Sequence, residues 1–421
     1  MFSTEAIDQL AGPDWLQARR ISALERAAET GLPSAHEEVW RYTPIGDLEL
    51  GSFSPVLEAP ASMHPDRSGI ASDDVVAGSS VIVDLADGHL VGIANAEGVQ
   101  GVRVELVAEA ADGDDLLGRA LPVAFDAFNE INLALAPSPI VIRIARGTVL
   151  DGPVVVRHRS AAADALTCSR VIVVAGENSE ATVVEVHESG DERALAIPVT
   201  ELVVEQAARL RHLSIQAHGT SVWQLGTQVA TIDQDGYLLA AAVALGGAYA
   251  RLRTDTKMIG RGATGDIIAA FFGDGDQTLD FRTFQQHVAP NTQSNLLFKG
   301  ALDDAARSIY TGLIRIEKDA AGVTAHQTNR NIKLSQDAWA ESVPNLEIEN
   351  NDVKCSHASA VGPIDEEQRF YLESRGVPTD VAERLVVQGF FNEVLRQLPY
   401  RAVVDQVEEL LTSRLQVGSD S

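Results

Sequence analysis

Soft ligands are scarce: the 421 residues hold two cysteines, Cys168 and Cys355. Two thiols cannot build a disulfide framework, and so few in a long chain fit a reducing compartment. Positive charge is also short, with 33 Lys and Arg against 60 Asp and Glu, a formal charge of −27. That balance repels phosphate backbones and anionic membranes, and no basic patch offsets it. The longest nearly continuous apolar run, LLAAAVALGGAYA at 238–250, is broken by paired glycines and is shorter than the roughly 20 residues of a spanning helix. No basic segment leading into an apolar stretch follows Met1, so no signal peptide is expected and the cytoplasm is the default location. G-x-x-x-x-G-K-[ST], G-x-S-x-G and H-E-x-x-H are all missing, which removes self-contained ATP hydrolysis, acyl transfer and zinc proteolysis. The chain is expected not to be an enzyme.

What is present suffices for a large core, since 45% of residues are hydrophobic. Residues 1–137 read as an N-terminal helical region with a linker and a small mixed segment. Within it, DWLQARRISALERAAET follows Pro13 and stops at Gly31 and Pro33, which predicts a helix, in a hairpin or cap. Residues 50–75 are rich in Ser, Pro, Ala and Gly and predict a loop or linker. SSVIVDLADGHLVGIA predicts a hairpin about Asp87-Gly88. DLLGRALPVAFDAFNEINLALA predicts helix, started or broken by Pro122.

From 138 to 363 the pattern changes to short Val/Ile/Leu/Thr runs separated by Gly, Asp, Asn or Ser, among them PIVIRIA, RVIVVA, ATVVEVHE and RHLSIQAHG. So many strands with so little helix exclude a doubly wound α/β fold and leave sandwich, barrel, propeller or solenoid. Pairs such as VIVVAGENSEATVVEVHES, two strands joined by a tight turn, favour successive faces of a solenoid, although no strict repeat is visible. Residues 364–421 revert to helix. PTDVAERLVVQGFFNEVLRQLP aligns Val387, Phe391, Val394, Leu395 and Leu398 on one stripe, and YRAVVDQVEELLTSRLQ aligns Val404, Val407, Leu411 and Leu415. Such stripes pack on their own domain or dock a partner.

Three motifs invite chemistry. GRGATG places Gly260, Gly262 and Gly265 as in a dinucleotide fingerprint, but the following segment is too short before Gly273 for the helix that holds a pyrophosphate, so a turn between strands is expected. Asp274, Asp276 and Asp280 in GDGDQTLD suggest a metal or carboxylate-pair site, against the plainer reading of an exposed turn. NDVKCSHASAV, if a strand, projects Cys355 and His357 from one face, donors that zinc and iron–sulfur clusters accept. Two ligands cannot close a four-coordinate site. Either the others come from elsewhere or from a second protein, or the pair is a buried thiol beside a hydrogen-bonded imidazole. Cys168, at a strand start, is expected to be a small core residue.

HVAPNTQSNLLFKGALDDAARSIYTGLIRI, HQTNRNIKLS, PNLEIENNDVKCSHASAVGPIDEEQRFYLESRGV and AERLVVQGFFNEVL together resemble the SufB/SufD family of iron–sulfur cluster assembly proteins, densely from about 250 to 398. EEVWRYTPI near residue 40 resembles the SufD branch. So does TNRNIKLS, where Asn329, Asn331 and Ser335 stand and the SufB branch carries a cysteine. Asp352 to His357 match the SufD segment; Ala358 replaces a usual glycine, and Lys333 interrupts a usually apolar run. The resemblance implies a right-handed parallel β-helix between helical ends, a heterodimer with SufB through the solenoids, and a SufC ATPase docked on the C-terminal helices. It implies a transient iron–sulfur cluster at the SufB boundary, with His357 the foremost ligand candidate and Cys355 the second, and a reduced flavin as a candidate cofactor of the complex. Competing readings are a secreted-type β-helix enzyme acting on carbohydrate, which lacks its expected signal and basic groove here, and a purely structural partner of SufB.

Overall fold

The computed structural model describes residues 2–60, 69–96 and 99–417. Residues 61–68 of the loop expected over 50–75 lie outside the described residues. Successive strands alternate between a ten-stranded and a twelve-stranded sheet, each growing by parallel pairing. The pair read from VIVVAGENSEATVVEVHES divides accordingly: Arg170–Ala175 joins one sheet and Glu180–Ser189 the other. A β-solenoid of about eight turns results, with helices at both ends. Sandwich, barrel and propeller are thereby excluded.

The repeat hidden in the sequence lies in the turns. Tyr237 pairs with Thr264 and Thr264 with Gln293, so each turn spends about 30 residues, the size range of solenoid repeats. At one corner of seven successive turns sits a residue with positive φ: Gly147, Asn178, Ala207, Asp235, Gly262, Asn291 and Gly322. Gly, Asn and Asp tolerate that conformation best, and they share the column with a single alanine. Their amides stack the corners: Ala207 donates to the carbonyl of Gln234 at 2.8 Å, Asp235 to Arg261 at 2.9 Å, and Asn291 to Ala321 at 2.7 Å. At Gly262 and Gly322 a Cβ would also lie 2.3 Å from Oδ1 of Asp235 and 2.4 Å from Oδ1 of Asn291. The GRGATG stretch is thus a corner, with Gly265 inside the strand Thr264–Gly273.

Alternate residues of each strand face the lumen. Val154, Val156, Val183, Leu202, Leu238 and Ile267 fill it in the first turns, and the rings of Phe271, Phe281, Phe298 and Tyr310 continue it in edge and tilted contacts. Tyr310 ends the apolar filling with a hydroxyl 3.1 Å from that of Thr283.

The hairpin about Asp87-Gly88 forms, and its first strand, Val81–Ala86, pairs in parallel with Val154–Ser160, so the ten-stranded sheet extends N-terminally of residue 138. The helix expected after Asp115 is interrupted. A single turn, Gly113–Leu116, precedes the extended stretch around Pro122, and Ala127–Leu135 starts afresh with Asp126 capping the amides of Phe128 and Asn129. That helix and Asp14–Thr30 cover the outer face of the twelve-stranded sheet. The C-terminal helices Thr379–Leu395 and Arg401–Val417 cover the ten-stranded sheet: Val387, Phe391, Val394, Leu398, Val404 and Val407 bury against Leu213, Ile215, Ile268, Phe272 and Leu297. Lys299 pins them, donating to the carbonyl of Phe390 at 2.8 Å and pairing with Glu393 at 2.5 Å. Both apolar stripes therefore pack on the chain itself.

Candidate functional site

The solenoid ends on two unpaired edges. Among the described residues Val353–Pro363 pairs only with Val323–Lys333, and Trp339–Ile348 only with Arg307–Ile316. Exposed edges offer rows of free amides and carbonyls, which proteins normally cover or blunt. The register sets Cys355 opposite Ala325, His357 opposite Gln327 and Ser359 opposite Asn329. Ala325, Gln327 and Asn329 are buried, so Cys355, His357 and Ser359 share the lumen-side face of the last turn. Ser356 takes the other face, its hydroxyl 2.7 Å from Nδ1 of His326.

Cys355 is half-buried against the cluster of Ile314, Ile316, Ala320, Val323 and Ala325, and burial pushes its thiol above the ordinary range. His357 is exposed, and its imidazole makes no hydrogen bond to another described residue. The pair thus divides into a packing thiol and a free imidazole, and the alternative of a tethered histidine beside a buried cysteine is not found. Among the described residues no third His, Cys, Asp or Glu comes close enough to complete a ligand set with them.

Behind His357 the lumen turns polar. Nε2 of Gln327 donates to the Tyr310 hydroxyl at 2.6 Å, Nδ2 of Asn329 to Ser342 at 2.9 Å, and Ser359 to Ser342 at 2.7 Å. Oε1 of Gln327, Oδ1 of Asn329 and both polar atoms of the Asn331 amide are buried without partners. Each such group costs about 1–3 kcal/mol when left unpaired, so this end of the lumen carries unmet polar capacity. In the sequence Asn329 and Asn331 stand out only for the cysteine they replace; their alternation with Gln327 on an edge-ward strand is the signal that marks this polar end. No motif marks His158, His187, His212 and His218, which the fold gathers in the lumen of the early turns.

The remaining candidates disperse. Asp276 is exposed on its turn and Asp274 lies 3.5 Å from Arg414. Asp280 is no turn residue: it is fully buried on Thr278–His287 and bonded to Tyr249 and Arg251. Cys168 is buried, its thiol pushed up by burial. Ser335 bonds the amide of Ala338, Lys333 reaches the carbonyl of Gln336, and Ala358 is exposed on the last strand. The EEVWRYTPI segment docks through Trp40, buried beneath the Arg251 guanidinium at 3.8 Å.

Residues 158–390 match the family model described as SUF system FeS cluster assembly, SufBD core domain. The chain belongs to this family. A SufBD family iron–sulfur cluster assembly protein of Mycobacterium tuberculosis is 31% identical over 396 residues, covering 91% of this chain and 89% of the relative. The SufD proteins of Escherichia coli and Bacillus subtilis are 27% and 24% identical, covering 94% and 96% of this chain and 92% and 94% of their own. A role in iron–sulfur cluster assembly within the SUF system follows from membership. Among the described residues no helix is long and apolar enough to cross a membrane.

Proposed function

We propose that this chain is the SufD-type subunit of a cytoplasmic cluster-assembly scaffold, that its open solenoid end pairs with SufB, and that His357 donates to a nascent cluster at that boundary. The carrying observation is the last strand, Val353–Pro363, unpaired along its outer edge with an exposed, unbonded His357 on its lumen-side face. A neutral imidazole ligates iron near physiological pH without losing a proton. Cys355, packed and raised in pKa, is the weaker donor. A partner edge would cover the free backbone groups and supply the ligands that two side chains cannot. The cluster is here the product under construction.

On this reading the chain catalyses nothing itself, and ATP hydrolysis belongs to SufC. With both apolar stripes buried, the docking surface for SufC is the outward side of the C-terminal region, where Phe370 and Tyr371 on the short helix Glu366–Ser374, Leu385 on Thr379–Leu395 and Leu410 on Arg401–Val417 are exposed. A reduced flavin in the assembled complex stays part of the proposal on family resemblance alone.

The test is co-expression with SufB and SufC, reading iron and sulfide per complex, with complex yield as control. His357→Ala is expected to preserve yield and lower cluster content at least tenfold, in line with the roughly 10- to 100-fold losses seen even for residues that only support a metal ligand. Cys355→Ala should keep most of it. Normal cluster content in His357→Ala would leave the chain a purely structural partner.

A further inference from the structure

The lumen of the early turns holds a second set of donors, remote in sequence from the open end. Val154–Ser160 and Glu180–Ser189 pair so that His158 lies opposite His187. Glu185, two residues before His187, shares its face, and His212 reaches in from the next strand. One ligand atom each from His158, Glu185 and His187 lie within 4.8 Å of one another, and all three residues are buried.

Glu185 is the unusual member. It is 1% exposed, yet the groups on its carboxylate are Nε2 of His158 on Oε2 at 2.8 Å, and Nε2 of His212 and the Thr200 hydroxyl on Oε1 at 2.8 Å each. Among the described residues no arginine or lysine bonds this carboxylate. Buried carboxylates are normally paired with a cation or bound to a metal. Oε2 has a single contact and keeps a lone pair for one more.

The histidines are under-used to match. Nδ1 of His158 and of His212 are buried without partners, although buried polar atoms are nearly always bonded. His187 stacks on His158, centroids 4.0 Å apart, and tilts against His218, and its ring makes no hydrogen bond to another described residue. A cavity of about 20 Å³ adjoins His158, His187 and His218, room for one water or one ion.

We propose that His158, Glu185 and His187 bind one first-row divalent transition ion inside the solenoid, separate from His357. Two imidazoles and a carboxylate are the donor set of non-haem iron(II) and of zinc sites. The 2.8 Å between Nε2 of His158 and Oε2 of Glu185 is near the separation of about 3 Å that two donors at right angles on an ion make with bonds of about 2.1 Å. To take an ion there Nε2 of His158 must be the bare nitrogen, so the neutral ring carries its one hydrogen on Nδ1 instead, and His212 stays on the other carboxylate oxygen to orient it. The site stands whether or not His357 meets a cluster.

The test uses the full chain, stripped with a chelator and titrated with Co²⁺ as optical probe. One ion per chain is expected, also in the Cys355→Ala/His357→Ala double variant, and X-ray absorption of the loaded wild-type chain should show imidazole nitrogen in the first shell. His187→Ala, which breaks no hydrogen bond, should weaken Co²⁺ at least tenfold with an unchanged circular dichroism spectrum. No Co²⁺ bound at micromolar concentration, an oxygen-only shell, loss of the ion in the Cys355→Ala/His357→Ala double variant, or undiminished binding by a folded His187→Ala would each overturn the proposal. Should His187→Ala not fold, the absorption spectrum of the wild-type chain decides alone.

Discussion

The hydroxyl of Tyr249 donates to the carboxylate of Asp280 at 2.8 Å, with both residues fully buried. Arg251 completes the group, bonding Asp280 and the carbonyl of Val39 while lying over the Trp40 ring. A buried charge pair thus helps tie the segment around Trp40 to the solenoid wall. Burial pushes the Tyr249 phenol well above its ordinary pKa, and the neighbouring Asp280 charge adds to the effect, so the phenol remains a donor at any pH the protein meets.

Breaking a buried pair leaves an uncompensated charge, at a cost of about 3–5 kcal/mol. Asp280→Ala should lose about that much in urea denaturation, whereas Asp276→Ala, four residues away and exposed, should change stability by less than about 0.5 kcal/mol. Equal effects would refute this account of the GDGDQTLD segment.

His287 gives a pH signature. It is fully buried, with Nδ1 2.8 Å from Thr292 and Nε2 3.0 Å from Ser294, and burial lowers its pKa to about 4. Between the unfolded value near 6.5 and that folded value only the unfolded chain binds the proton, so folding weakens on acidification by about 1.4 kcal/mol per pH unit from this group. The expected outcome is that His287→Gln loses less stability than wild type between pH 7 and pH 5. Parallel losses would assign the acid sensitivity to other groups.

Ala207 is the one member of the corner column that is neither Gly, Asn nor Asp, at φ +54°. Left-handed backbone costs a residue with a Cβ roughly 1–2 kcal/mol, partly offset by the greater unfolded-state entropy of glycine. Ala207→Gly should therefore raise stability by about 0.5–1 kcal/mol, seen as a higher denaturation midpoint at unchanged slope.

The C-terminal helices cannot simply be cut away. Ending the chain after Gly376 would uncover Ile215, Ile268, Phe272 and Leu297, and the expected result is aggregation. Phe370→Ser with Tyr371→Ser, both more than half exposed, should leave the fold intact and reduce SufC retention in a pull-down of the co-expressed complex. Undiminished retention would place the docking surface elsewhere.

The strands were legible because their residues alternate and are β-branched, and the helical stripes because their period is helical. The repeat was not, because it resides in backbone conformation: Asn178, Ala207, Asp235 and Gly262 share a φ sign and no side chain. Asp280 was misplaced with its acidic neighbours, since its partner Arg251 lies a full turn back in the chain and only the coil brings them together. For the same reason His158, Glu185 and His187 passed as ordinary strand residues. Cys355 and His357, only two apart, were the pair a strand period could reveal.

The two bare strands at the end of the solenoid also bear on how the chain is handled before it is partnered. A row of free amides and carbonyls accepts any strand of matching length and direction, so backbone pairing at Val353–Pro363 cannot by itself tell a correct neighbour from another copy or an unfolded segment. Discrimination falls to the few side chains that project from that edge, and to timing. If the proposed pairing holds, a chain released from the ribosome beside its neighbour would be capped at once, and one released alone would spend its waiting time open to competing strands.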